Sequence, residues 1–324
     1  MAGQYIDIKL NNKKIKDNVE KLILDTESAY RGQLFKVADT ILEKGNIQVV
    51  LLAGPSCAGK TTSANLLKEC FEKRGKDVVT ISMDDFFIDR DKTPFLPNGL
   101  RDLDSPNSVN MTLMEECFKS FFSGKTTTFP IYDFKTGTSA NTHFKLTKKS
   151  NTIVIFEGLH TLNPVLYKHI GTDKYFKIYV NTLTGFSSGD DTMSARELRL
   201  LRRMIRDVDR RDLSPQTTLK NWPAVCDAED KYITPFANNA DIFIDTTHEF
   251  ELGVFKEAFE SLIKRQKVTP SEYVKYNVLH DSAEVDRSYL PKSSLMWEFV
   301  DPPKHKKKIR TIVPKPRRSL RNEK

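Results

Sequence analysis

The most constraining feature of the sequence is a glycine-containing loop between an apolar run and an amphipathic segment. Residues 49–53 read VVLLA, residues 54–61 read GPSCAGKT, and residues 60–74 have helical periodicity before Gly75. The loop matches G-x-x-x-x-G-K-[ST], a pattern in which backbone N–H groups surround an anion at the start of a helix. The sequence therefore predicts a strand, a phosphate-binding loop and a helix in direct succession.

This phosphate-binding loop predicts ATP and Mg²⁺ as cofactors. Lys60 is expected to reach the β- and γ-phosphates, and Thr61 to offer its hydroxyl to the metal. A guanine-recognition motif N-K-x-D does not occur in the sequence, which argues against a GTP-binding switch. The predicted nucleotide-binding residues are Gly54, Pro55, Ser56, Cys57, Ala58, Gly59, Lys60, Thr61 and Thr62.

Strand-like and helix-like segments alternate along the rest of the chain, which predicts an α/β fold. We expect a parallel sheet of about five strands covered by helices. The other predicted strands are 78–82, 153–156, 176–180 and 242–244, and the other predicted helices are 28–43, 113–122, 194–210 and 250–267. The predicted organisation is an N-terminal lead-in at 1–45, a kinase-like domain at 46–267, a polar extension at 268–300 and a basic disordered tail at 301–324.

The net charge of +8 resides in the tail, because residues 301–324 hold ten basic and two acidic residues. The remaining body is neutral, so weak polyanion contact is expected only through the tail. No apolar run approaches the roughly 18 residues of a membrane span. The first 14 residues show no secretory signal, which favours a cytoplasmic protein. Four cysteines without metal-binding spacing are expected to be free thiols, and a homo-oligomer is compatible with this size.

Several acidic and aromatic clusters follow the loop. Asp84, in SMDDFF at the end of a strand, is either the base that takes a proton from an acceptor hydroxyl or a helix cap. Tyr132 and Phe134 either stack a base or alternate as in a half-buried strand. Glu157, in IFEG at another strand end, either completes the metal site with Thr61 or is a strand-end residue in a plain turn.

The predicted helix at 194–210 separates apolar from basic residues. At about 100° per residue, its leucines and Met204 share one side, and six arginines share the other. Like charges on one face repel, so either a triphosphate meets them or the face is solvated. Arginines that close over a γ-phosphate would stabilise the transition state. The six are Arg196, Arg199, Arg202, Arg203, Arg206 and Arg210.

The order of these motifs resembles that of the phosphoribulokinase and uridine kinase family, particularly its bacterial uridine kinase-like members. The shared motifs are GPSCAGKT, SMDDFF, DLDSP, PIYDF, IFEG, RLLRRMIRD and the stretch 222–241, within residues 47–250. The resemblance implies a P-loop kinase that phosphorylates the 5′-hydroxyl of uridine or cytidine. It implies the following roles: Asp84 as catalytic base, Lys60, Arg203 and Arg206 as catalytic cations, and Asp104, Tyr132, Phe134, Phe87 and Arg199 as substrate-binding residues.

The sequence departs from this family in the acceptor region. Gly137 and Ser139 stand where the family usually has His and Arg, and Phe87 where it often has Tyr. Two alternatives therefore stay open. One is a P-loop kinase for another small hydroxylated substrate, such as a sugar or hydroxy acid. The other is a P-loop ATPase or binding module that uses its basic tail on nucleic acid.

Deletion of residues 303–324 tests the tail. Because the predicted catalytic groups all precede it, kcat and KM should stay within about twofold of those of the full chain. Any binding to polyanions should be lost, and in the intact chain it should weaken steeply with salt. Steady-state kinetics and heparin binding at two salt concentrations measure both effects. A tailless chain that loses turnover would contradict the prediction.

Overall fold

The phosphate-binding loop leaves the middle strand of a five-stranded parallel sheet. The computed structural model describes residues 4–97, 99, 101–266 and 275–302, except the side chains of 140–142 and 266. In chain order, the strands and helices are β1 (Gln4–Asp7), α1 (Ile8–Lys44), β2 (Val49–Ala53), α2 (Lys60–Glu72), β3 (Asp77–Ser82), α3 (Met111–Phe122), β4 (Thr127–Asp133), β5 (Thr138–Leu146), β6 (Thr152–Gly158), α4 (Pro164–Tyr167), β7 (Tyr175–Asn181), β8 (Thr184–Ser188), β9 (Asp191–Met193), α5 (Ala195–Arg211), α6 (Pro215–Tyr232), α7 (Thr234–Ala237), β10 (Ile242–Asp245), α8 (Glu251–Gln266) and α9 (Tyr276–Asp281).

The predicted α/β class and five parallel strands are confirmed. The sheet order is β10-β7-β2-β6-β3, so β6 lies between two strands that precede it in the chain. Apolar residues of α1, α2, α5 and α8 cover one face, and α3 with a cluster of phenylalanines covers the other. This order brings the carboxyl ends of β2, β3 and β6 side by side, where open α/β sheets bind ligands.

Helix α1 is much longer than the predicted segment 28–43. Asp7 caps its start by accepting a hydrogen bond from the N–H of Leu10 at 2.8 Å. Asn18 interrupts the helix with φ −165°, and its side chain accepts from the N–H of Lys21 at 2.9 Å. The first half carries many Lys and Asn residues around the buried Ile8 and Ile15, which hides its apolar stripe from a periodicity search.

Both ends of the described chain join this body. Strand β1 pairs in parallel with β8, and β9 completes that small sheet. Residues 275–302 enter the core although their composition predicts a polar extension. Their buried apolar residues are Val278, Leu279, Val285, Leu290, Leu295, Met296, Phe299 and Val300.

Two other sequence expectations concern thiols and membranes. All four cysteines are free, as predicted. None of the helices in the described ranges has the length and apolar character needed to cross a bilayer. All but the first two residues of the predicted tail lie outside the described residues.

Glu27, in the interior of α1, should make stability pH-dependent. It is 0% exposed, and burial raises its pKa from 4.5 to about 7, against opposing effects of Ser294 and Arg31. Between these values the folded chain keeps a proton that the unfolded chain releases, so the free energy of unfolding should fall as pH rises. Glu27→Gln cannot ionise, and its stability relative to wild type should increase by up to about 3 kcal/mol from pH 5 to pH 8.

Urea denaturation at the two pH values measures this difference. Glu43→Gln is the matched control, because Glu43 lies exposed near the end of the same helix. This control should differ from wild type by the same amount at both pH values. A Glu27→Gln difference that does not change with pH would contradict the prediction.

Candidate functional site

A cavity of about 700 Å³ opens at the carboxyl end of the central sheet. Strand β2 delivers the phosphate-binding loop, a short 3₁₀ turn after β3 (Met83–Phe86) delivers Asp84, and the end of β6 delivers Glu157. Ser82 and Glu157 are register partners, and the Ser82 hydroxyl donates to Glu157 Oε1 at 2.9 Å. The strand order therefore brings together three groups that are far apart in the sequence.

The loop has the backbone conformation of an anion nest. Gly59 has φ +85° and Cys57 has φ +60°, so the chain visits the left-handed region twice within three residues. A side chain at Gly54 would collide with the carbonyl oxygen of Val180. Lys60 curls back over the loop, and its Nζ donates to the carbonyl of Pro55 at 3.1 Å. The loop thus surrounds a space suited to phosphate.

Arg199 does not line the cavity, although the sequence places it among the substrate-binding residues. Its side chain is 2% exposed, and its Nη2 donates to both carboxylate oxygens of Glu229, at 2.7 and 2.8 Å. Its other terminal nitrogen donates to the carbonyl of Ser56 at 3.2 Å. Arg199 therefore binds the backbone of the phosphate-binding loop and does not contribute to the cavity lining.

Arg202 repeats this arrangement one turn further on. It is fully buried, pairs with Glu251 at 2.8 Å, and donates to the carbonyl of Cys57 at 3.3 Å. The expected repulsion along the arginine face is thus relieved within the protein, because carboxylates lie beside every member of the row. These carboxylates are Glu229, Asp230, Glu251, Asp207 and Asp301.

Arg203 and Arg206 do reach the cavity. Arg203 Nη1 donates to the Ser56 hydroxyl at 2.8 Å, and Arg206 Nη2 lies 2.6 Å from the buried carboxylate of Asp207. The charges of these arginines and Arg211 lower the pKa of Asp207 although its burial opposes this shift. Asp207 therefore stays ionised and orients guanidinium groups at the edge of the cavity.

Asp84 and Glu157 form a pair of carboxylates beside Lys60. Burial is the main cause of a raised pKa in both, and it brings the pKa of Glu157 to about 7. The charge of Asp84 adds to the shift of Glu157, whereas Lys60 opposes it. Such a pair favours a cation or a proton between its members.

The oxygen-rich surroundings fit Mg²⁺. Among the described residues, no cluster of three or more His, Cys, Asp or Glu side chains forms a complete metal site. Mg²⁺ in kinases is usually held by one or two carboxylates together with substrate phosphates, so a complete protein cage is not required. Asp84 Oδ1 is buried without a hydrogen-bond partner among the described residues, and the Thr61 hydroxyl borders the same cavity. Thr61 and Glu157 are thus suitable ligands.

Three aromatic rings form one wall of the cavity. Tyr132 packs edge-on against Phe87 at 5.6 Å and against Phe134 at 5.2 Å between ring centroids. The guanidinium of Arg211 lies 4.8 Å from the Phe134 ring centre, and Asp104 lines the cavity as well. The wall thus combines rings with an acidic and a basic side chain.

Arg90 fills the space beside Gly137. Its Nη2 donates to the carbonyl of Phe134 at 2.6 Å, and a side chain at Gly137 would come within 2.7 Å of its guanidinium carbon. Gly137 also has φ +72°, which disfavours other residues. The small residue in the hairpin between β4 and β5 is therefore matched to an arginine from a distant part of the chain.

The structure brings most of the predicted site residues to one cavity. The predicted residues that line it are Ser56, Cys57, Lys60, Thr61, Asp84, Phe87, Asp104, Tyr132, Phe134, Glu157, Arg203 and Arg206. Gly54, Pro55, Ala58, Gly59 and Thr62 belong to the loop and the start of α2 and do not line it, and neither does Arg199.

Sequence reasoning misses several lining residues, chiefly Arg90, Lys135, Arg211 and Glu298. Helical angle places Arg211 at about 220°, on the apolar side, but it is the last residue of α5 and precedes the left-handed Asp212. Glu298 lies in the C-terminal extension, within the stretch SSLMWEFV, which resembles the end of longer bacterial family members but does not indicate a role in the site. Arg90 carries a weak signal, since it follows the SMDDFF cluster closely in the chain.

Comparisons with known proteins agree with these motifs. The model of the Phosphoribulokinase / Uridine kinase family matches residues 49–252. A uridine kinase from Clostridium novyi is 28% identical over 222 residues, which cover 68% of this chain and 95% of that protein. A uridine kinase from Staphylococcus aureus is 26% identical over 222 residues, which cover 67% of this chain and 98% of that protein.

Solved structures show a related but more distant likeness. A possible uridine kinase from Bacillus stearothermophilus is 18% identical, with a TM-score of 0.46, and the match covers 66% of this chain and 98% of that chain. The family model, by contrast, matches well over half of the chain, from the middle strand through the start of α8. The chain therefore belongs to the phosphoribulokinase and uridine kinase family.

Proposed function

We propose that this protein is an ATP-dependent nucleoside kinase that phosphorylates the 5′-hydroxyl of uridine or cytidine. The observation that carries the proposal is one cavity bordered by Lys60 and Thr61 of the phosphate-binding loop, by Asp84 and by three aromatic rings. Its volume of about 700 Å³ is in the usual range for small-molecule sites. Relatives named uridine kinase match about two thirds of the chain.

In this proposal Asp84 accepts the proton of the acceptor hydroxyl. The acceptor oxygen forms a bond to the γ-phosphorus as the bond to the β-phosphate oxygen breaks, and ADP leaves. The raised pKa of Asp84 strengthens it as a base relative to an exposed carboxylate. The free Oδ1 offers an unoccupied lone pair for that proton.

The cations supply electrostatic stabilisation. Lys60 would release the Pro55 carbonyl to bind the β- and γ-phosphates, and Arg203 and Arg206 would face the transferred group. Thr61 and Glu157 would hold Mg²⁺, which when bound would neutralise charge on the phosphates. The carboxylate of Asp207 keeps Arg206 oriented before the nucleotide arrives.

A second candidate acceptor is a small hydroxy acid. The specific observation in its favour is the presence of Arg90, Lys135 and Arg211 beside the aromatic wall. Three cations suit an anionic acceptor better than a neutral nucleoside. A screen of nucleosides, sugars and hydroxy acids for acceptor-dependent ADP release separates the two candidates. ADP release that needs no acceptor would instead favour an ATPase.

Asp84→Asn tests the proposed base. The amide cannot take the proton, so kcat should fall by about 10² to 10⁴, while the affinity for ATP should change little. The matched variant Asp85→Asn removes the neighbouring charge and retains an oxygen that can accept from the N–H of Tyr132. It should lose less than about tenfold in kcat. Equal losses in the two variants would argue against the assignment.

Asp104 is proposed to bind the ribose diol. The enzyme should therefore prefer ribonucleosides to 2′-deoxynucleosides by about tenfold or more in kcat/KM, because the missing hydroxyl leaves the carboxylate under-satisfied. Asp104→Ala should remove this preference. Asp102→Ala, two residues away and not part of the cavity lining, should retain it. Equal kcat/KM for both sugars in the wild type would contradict the role.

A further inference from the structure

Residues 290–300, here called the C-terminal strap, pack against the phosphate-binding loop. Leu295, Met296 and Phe299 are fully buried, and Leu295 occupies the space that a side chain at Gly59 would need. The strap lies outside residues 49–252, which the family model matches. It is therefore an addition to the part of the chain that carries the family motifs.

Polar contacts join the strap to α1 and α5. Arg31 of α1 donates to the hydroxyl of Ser293, and Arg210 of α5 donates to the carbonyl of Trp297 at 2.7 Å. The indole N–H of Trp297 donates to the carbonyl of Pro291 at 2.7 Å. Together with the buried Leu295, Met296 and Phe299, these contacts anchor the strap.

Glu298 projects from the strap into the cavity. Its Oε2 accepts from the hydroxyl of Thr62 at 2.7 Å and faces the backbone N–H of the same residue at 3.4 Å. Thr62 is the third residue of α2, a helix of 13 residues that begins at the phosphate-binding loop. Donors at this end of such a helix are the ones that bind phosphate groups of a nucleotide.

We propose that Glu298 is an internal competitor for the nucleotide phosphates, so that nucleotide binds only after this carboxylate leaves Thr62. This inference rests on the proposed binding of nucleotide at the loop. Two anions cannot share the same donors, and their repulsion in a partly buried cavity adds to the competition. Because the backbone is anchored, release takes place by rotation of the Glu298 side chain. The strap thereby lowers the affinity of the resting protein for nucleotide.

Nucleotide affinity of Glu298→Ala in the full chain tests the proposal. Equilibrium dissociation constants are measured for ADP with Mg²⁺ and for inorganic tripolyphosphate, without any acceptor. Both ligands should bind roughly tenfold more tightly than to the wild type, because the competing charge is absent. Tripolyphosphate has no base or sugar, so tightening with this probe localises the effect to the phosphate site.

Two further variants provide controls. Glu284→Ala removes an exposed carboxylate of the same extension, outside the cavity, and should stay within about twofold of wild type. Glu298→Gln keeps the size and removes the charge, so it should also bind more tightly, and it replaces the alanine variant if that chain fails to fold.

Unchanged or weaker binding in the Glu298 variants would overturn the proposal. Weaker ADP binding with unchanged tripolyphosphate binding would instead make Glu298 a ligand of the nucleoside part. These outcomes are independent of the acceptor. A wild type that binds ADP but phosphorylates no nucleoside would overturn the nucleoside kinase assignment and leave the competition intact.

Discussion

Two buried ion pairs between α5 and its neighbours determine the shape of the phosphate-binding loop. Arg199 with Glu229 and Arg202 with Glu251 are charge-balanced, and each arginine still donates to a loop carbonyl. Loss of one partner would leave a buried charge, which typically costs about 3 to 5 kcal/mol. The N–H groups of the loop can turn inward because its carbonyls at residues 56 and 57 are held from outside. Of the six arginines in the row, Arg203 and Arg206 thus face the cavity, and the other four hold neighbouring parts of the protein.

Charges of both signs meet in the cavity. Asp84, Asp104, Glu157 and Glu298 line the same cavity as Lys60, Arg203, Arg206 and Arg211. A triphosphate alone would meet carboxylates, and a divalent cation alone would meet arginines. A ligand that carries both, such as ATP with Mg²⁺, matches the distribution better than either component, since each charge finds its opposite.

The strand-loop-helix motif and the five strands follow from local sequence, because apolar runs and glycine spacing express them within a few residues. The same holds for Asp84 and Glu157, whose strand-end positions imply convergence in a parallel sheet. The role of Arg199 could not be predicted in this way. Helical angle shows which face of α5 a residue occupies, but it does not show whether a buried carboxylate such as Glu229 packs against that face. Glu298 and Arg90 reach the cavity through long-range packing, which no local pattern encodes. Helix α1 is underestimated because its lysines and asparagines mask Ile8 and Ile15.

The pairing of β1 with β8 and the packing of Leu295 against Gly59 both join parts of the chain that are far apart in sequence, which affects the order of folding. Segments about 180 residues apart must meet to form the small sheet, and segments about 236 residues apart must meet to place Leu295 beside the loop. Contacts between residues so far apart in sequence form late, because the entropy cost of closing the long intervening segment comes before the contacts that offset it. During synthesis, the family core emerges from the ribosome well before its covering segment. The contact between Leu295 and the loop can therefore form only after the strap has been synthesised.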